Sequence, residues 1–261
     1  MAAATGRTRA PGAARTAAPG RRRRRGLGRA LTQTARAWPA DADELIALQI
    51  ALAEAEPPLW QPPLGPLLVG GRFVCFERER SGAGAAGDRG WAAAALLSDN
   101  RLVATRVFSG AAGAAYREGL LALREGPLLA AAARRLPRQP QLLFVNAGGR
   151  DHPRRAGLAL HLGAVLDVPT IGVTHRPLPA RGEWPPDQRG ATSPLVLEGE
   201  LVGHWLRTRS GTRPLAVHAA WRTDAKTAVA LVLAHCVQRT PEPIRQARRL
   251  AREARARSSA D

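Results

Sequence analysis

Lysine is almost absent from this chain: Lys226 stands alone against 38 arginines. Acids are scarce as well, with 21 Asp and Glu against 39 basic residues and a formal net charge of +18. That balance favours polyanionic partners, nucleic acid above all. Because Arg replaces Lys nearly everywhere, and Ala, Gly and Pro are abundant, composition alone does not mark any one Arg as chosen for its planar fork. The two cysteines, Cys75 and Cys236, lie in apolar runs without metal-ligand spacing. They read as buried thiols and exclude a disulfide framework. No apolar run approaches the roughly 18 residues of a membrane span, and there is no signal-peptide core. The expectation is a monomeric cytoplasmic protein without membrane attachment.

What is present divides the chain. Residues 1–40 hold ten Arg and no acid, in a low-complexity background of Ala, Gly, Pro and Thr. Such a segment cannot build a core and is expected to be disordered. A domain is expected over residues 41–258. Asp41 and Glu44 have capping-box spacing ahead of an apolar helical pattern that runs to about Ala55. Leu67 to Phe76, Trp91 to Leu97 and Leu102 to Phe108 read as strands, the last two joined by a hairpin turn at Asp99-Asn100. Helices interrupted at Gly126-Pro127 are expected between Arg117 and Leu136. Residues 174–193 form a long loop. A hairpin turning at Gly199, a strand from Leu215 to His218 and helices from Asp224 and from Pro243 close the chain, the last with six arginines.

The most informative stretch runs from Gln141 to Arg155. Its apolar start suits a buried strand, Ala147 to Gly149 permit a sharp turn, and Asp151, His152, Arg154 and Arg155 follow beyond the strand's carboxyl end, where open α/β sheets bind ligands. With a helix over Ala156 to Leu166 and a strand over Val168 to Val173, it makes a βαβ unit. The two strands are therefore expected to be parallel neighbours.

Several motifs share one source. Phe144-Val145-Asn146-Ala147-Gly148-Gly149 with His152-Pro153-Arg154-Arg155 resembles the central F-V-D-G-H-G…H-P-R-R motif of the endonuclease V family. Asp167-Val168-Pro169-Thr170-Ile171-Gly172-Val173, Tyr116 with Leu123-Arg124-Glu125-Gly126-Pro127, and Thr240-Pro241-Glu242-Pro243-Ile244-Arg245 extend the likeness in order over roughly residues 41–250. The resemblance implies an α/β fold with a ribonuclease H-like mixed central sheet and helices on both faces. It also implies Mg-dependent cleavage 3′ to inosine in DNA or RNA. Carried over residue by residue, it makes Glu125, His152 and Asn146 the catalytic candidates, with Glu125 as the metal ligand. Tyr116, Gly148, Gly149, Arg154, Arg155, Gly172 and His175 become the substrate-binding candidates.

The likeness fails where the chemistry sits. The family's first-strand Asp falls on Phe73, its F-V-D-G Asp on Asn146, its Lys near His175, and its late His and Asp near Trp221 and Lys226. Mg is a hard cation that seeks oxygen ligands, so these changes argue against a metal. The expectation is an endonuclease V-like nucleic-acid-binding protein, related to inosine recognition, with weak or no cleavage, and Mg as cofactor only if it is active. The competing readings are an active endonuclease with a site rebuilt from Glu77, Glu79 or Asp151, and an interaction protein on the old scaffold.

Overall fold

The computed structural model describes residues 37–77 and 82–258. Of the 1–40 segment expected to be disordered, residues 1–36 lie outside them and residues 37–40 are described. Helix α1 (Ala42–Glu54) precedes strands β1 (Leu68–Phe76), β2 (Arg89–Ser98) and β3 (Arg101–Ala111). Helix α2 (Leu121–Arg134), strand β4 (Leu142–Val145), helix α3 (Leu158–Leu166) and strand β5 (Thr170–Thr174) come next. Strands β6 (Thr192–Leu197), β7 (Glu200–Leu206) and β8 (Leu215–Ala219) lead to helices α4 (Ala225–Ala234) and α5 (Glu242–Ser258).

The strands form one sheet in the order β3-β2-β1-β4-β5-β8-β7-β6. β4 pairs in parallel with β1 on one side and β5 on the other, and the remaining pairings are antiparallel. The expected parallel neighbours are thus adjacent, with Leu143 opposite Thr170. Alternation along the strands splits the core in two. Leu143 and Val145 pack with α1, α2 and α3 on one face, and Leu142 and Phe144 with α4 and α5 on the other. This is the mixed sheet with helices on both faces that the resemblance implied.

Local chemistry explains the element ends. Asp41 caps α1 by accepting the Glu44 amide at 2.9 Å, and Glu44 accepts the amide of Ala40, one residue before the cap, at 2.9 Å, a shifted form of the capping box. Asp99 and Asn100 both take left-handed φ, 48° and 59°, as a two-residue hairpin with matching strand twist requires. The expected interruption at Gly126-Pro127 does not occur: α2 runs through both. Proline deletes one donor, but the Leu123 carbonyl it would have served lies against Gly113, and Gly126 lies under the Trp38 ring. Trp38 also packs on His161 with ring centroids 4.7 Å apart, so the folded unit begins a few residues before Asp41.

Candidate nucleic-acid site at the strand ends

Phe73 follows the paired residues Arg72 and Val145 on β1, and Asn146 follows them on β4, so the two positions are neighbours. Both face α5. There Arg248 donates from Nη2 to Asn146 Oδ1 at 3.1 Å and stands 5.1 Å from the Phe73 ring centroid, with Arg252 5.9 Å from the same ring. Guanidinium over an aromatic face is an attractive contact, so Phe73, Asn146 and the two arginines suit each other. Burial, then Arg252 and Arg239, pull the Arg248 pKa below its ordinary value. His175 is lowered by burial and by Arg239 and Arg248, which places it beside the same cluster. The cluster is cationic where a metal centre would be anionic.

Magnesium does not fit these residues. The Asn146 oxygen is neutral and already accepts from Arg248. Among the described residues no group of three His, Cys, Asp or Glu side chains is placed to hold a metal ion. Glu125 is on α2, and burial pushes its carboxyl up to about 7, with Arg124 pulling the other way. Lys226 is exposed in the first turn of α4, and Trp221 is buried in the core beneath α3.

The acids offered for a rebuilt site are otherwise engaged or undescribed. Asp151 is fully buried, accepts the amides of Leu178 and Ala180 at 2.6 and 2.8 Å, and lies 3.7 Å from His218. It anchors the long loop. Glu77 has interactions of its own, and Glu79 lies outside the described residues.

The H-P-R-R segment turns inward. His152 Nε2 donates to the Gly119 carbonyl at 3.1 Å, while its Nδ1 accepts the Arg154 amide at 3.1 Å. Arg154 donates to that carbonyl at 2.8 Å and to Gln49 at 2.6 Å, and Gln49 adds a third donor to the carbonyl at 3.1 Å. One carbonyl thus joins α1, the H-P-R-R segment and the loop that carries Tyr116. Arg155, at φ 57°, donates to Leu197 O and pairs with Glu198 and Glu200 at 3.1 and 3.3 Å. Burial holds the His152 pKa down to about 4, assisted by Arg154, so the ring is neutral at physiological pH.

Tyr116, Gly148 and His152 line a cleft with Gln49, Gly119 and Leu121. Tyr116 is about half exposed at the rim. Gly149 and Gly172 serve packing instead: a Cβ on Gly149 would strike Ala219 O, and one on Gly172 would strike Ala147 O. Of the sequence candidates, the structure therefore groups Tyr116, Gly148, His152 and Arg154 around Gly119, and Asn146 with His175 around Arg248. Glu125 joins no such cluster of acids. Arg248 and Arg252 were visible in the sequence only as part of a basic helix; their i, i+4 spacing was the available signal. Another structural partner, Arg124, forms a buried pair with Asp88 at 2.8 Å and donates to Ala85 O and Ala114 O, bracing the segment before Tyr116.

Residues 68–249 match the endonuclease V family model. An endonuclease V of Streptomyces avermitilis is 38% identical over 224 residues, covering 83% of this chain and 93% of that protein. A crystal structure of endonuclease V from the same organism superposes with a TM-score of 0.74 at 36% identity, over 85% of this chain and 96% of that one. Endonuclease V of Ciona intestinalis, in complex with a 24mer DNA containing an inosine followed by a ribo-adenosine, shares the fold at a TM-score of 0.65 and 21% identity, over 81% of this chain and 96% of that one. A family match spanning most of the folded unit, and a relative aligned over nearly its whole length, establish that this chain belongs to the endonuclease V family.

Proposed function

We propose that this endonuclease V-family protein binds inosine-containing nucleic acid at the carboxyl ends of β1, β4 and β5, with weak or no phosphodiester cleavage. The observation that carries the reading is Arg248, which bonds Asn146 and covers Phe73 where the family resemblance puts two metal-binding carboxylates. A fixed guanidinium attracts a backbone phosphate but cannot lower the pKa of an attacking water as a bound metal does. Arg248, Arg252 and Arg239 supply positioning charge that carries no base information. The cleft beside Tyr116, lined by Gly148, Gly119 and Leu121, is the proposed seat of a flipped base. Support for the substrate class comes from the Ciona relative, which was crystallised on inosine-containing DNA.

The test is a titration of labelled inosine-containing and control strands in EDTA across a salt series. Binding should persist without divalent metal. Replacing Arg248 and Arg252 together by Ala should flatten the salt slope by about one to two units, because each lost phosphate contact removes roughly 0.7–0.9. An absolute requirement for Mg, or a slope unchanged in the double variant, would refute the reading.

A further inference from the structure

Of the six tryptophans, Trp184 alone stands exposed, at 55% of its surface. It lies in the long connection between β5 and β6. That connection is held on both sides of the indole. Before it, Asp151 accepts the Leu178 and Ala180 amides, and Arg181 exchanges two backbone hydrogen bonds with Val196 of β6, each 2.8 Å. Trp205 donates from Nε1 to the Gly182 carbonyl at 3.0 Å, and the Ser193 hydroxyl donates to the Glu183 carbonyl. After it, Pro185 is buried, and the buried Arg207 donates to the carbonyls of Pro185 and Pro186 at 3.0 and 3.3 Å. The indole itself meets the Trp205 ring in a T-shaped contact, centroids 6.2 Å apart, with the Arg207 guanidinium 6.0 Å from its own centroid. It is an exposed aromatic surface on a braced support.

The sheet register fixes where that surface lies. Trp205 is opposite Ala216, and Ala216 is opposite Thr174, the last residue of β5. Two strand spacings, roughly 10 Å, separate Trp205 from Thr174. Trp184 therefore sits at the same end of the sheet as the strand-end site, where His175 follows Thr174 beside Arg248. Leu178, on the same connection, lines the Tyr116 cleft. The six residues from Leu178 to Trp184 span at most about 22 Å even when fully extended. Cleft and indole thus fall within the reach of one short strand, since single-strand sites cover about 4–16 nucleotides.

The charge around the indole suits the same ligand. Residues 174–193 carry Arg176, Arg181 and Arg189, all exposed, against Glu183 and Asp187. Asp187 is 3.4 Å from Arg207 and accepts the Gly211 amide. A basic surface that presents an aromatic ring offers one contact for phosphates and another for bases.

We propose that Trp184 is a stacking platform for an unpaired base of the bound strand, a few nucleotides from the base seated beside Tyr116. This rests on the nucleic-acid reading above and adds to it a contact blind to base identity, because every base has a π face. The bracing of the connection keeps the ordering cost of that contact small.

Titration of the full chain with a single strand of about 15 nucleotides, with and without inosine, tests it. Binding should quench the tryptophan emission of the natural chain. Trp184→Ala should weaken binding about five- to hundredfold, for either strand, and remove the quenching. Trp184→Phe keeps a ring and should retain most of the affinity. Heparin, a polyanion without bases, should bind the natural chain and Trp184→Ala equally, which separates a lost stack from a damaged surface. Equal strand affinity in Trp184→Ala, or an equal loss on heparin, would overturn the inference and leave the nucleic-acid reading standing. A natural chain that binds neither strand would overturn both.

Discussion

At the carboxyl ends of β1 and β4 the two faces of the sheet have met opposite fates. On the α1 and α2 face, His152 and Arg154 of the H-P-R-R segment, with Asp151 just before it, are tied into the fold by hydrogen bonds to Gly119, Gln49, Leu178 and Ala180. On the α5 face, Phe73 and Asn146, where the sequence resemblance expects carboxylates, lie under Arg248 and Arg252. The difference teaches what a motif measures. His152, Arg154 and Arg155 are each bonded to carbonyls or acids of other segments, so removing one leaves those partners unmet, a cost independent of catalysis. High similarity to a nuclease family therefore does not by itself establish metal chemistry.

The largest effect that would sharpen the contrast is on the retained face. Asp151→Ala should leave the Leu178 and Ala180 amides without their acceptor and cost about 3–5 kcal/mol in urea unfolding. A change near zero would mean the motif is not held by the fold.

Acid should act through the same region. Burial holds His152, His161 and His218 at about 4, below their ordinary value of 6.5. The unfolded chain takes up these protons first, so the stabilisation is complete above about 6.5 and is lost as pH falls towards about 4. Glu125 runs the other way: its carboxyl is raised to about 7, so its contribution favours the acid side and fades as pH rises through that value. Three groups oppose one, and at about 1.4 kcal/mol per unit the net should be a loss of several kcal/mol on acidification. Equilibrium denaturation at a series of pH values checks it; a profile flat from neutrality to about pH 4 would contradict the buried, neutral histidines.

The smallest effect belongs to Glu125, the acid on α2 that the resemblance makes a metal ligand. Glu125→Gln should raise stability at pH 8 by about 1–3 kcal/mol, since it removes a desolvated charge that no metal compensates. Destabilisation, or a melting temperature of the natural chain that climbs with Mg, would indicate that Glu125 serves a metal after all.

Much of the fold was legible because local chemistry and periodicity agree with it: the Asp41–Glu44 capping box, the Asp99-Asn100 hairpin and the βαβ unit from Leu142 to Thr174 all appear. The continuity of α2 through Pro127 was not, because it depends on Trp38 and Gly113, remote in sequence. That Phe73 and Asn146 stand where the resemblance expects acids could be seen in the sequence as well. What replaces them could not, since Arg248 lies 102 residues from Asn146 and six arginines on one helix look alike until the sheet selects a face. The inward turn of Arg154 likewise depends on Gly119 and Gln49, which no local pattern links to it.

Cleavage of an inosine-containing strand under single-turnover conditions, with protein in excess and Mg or Mn supplied, tests the central claim most directly. The natural chain should bind the strand and leave it uncut, or cut it only in traces that Glu125→Ala does not alter. Metal-dependent cutting 3′ to inosine, abolished by Glu125→Ala, would contradict the account.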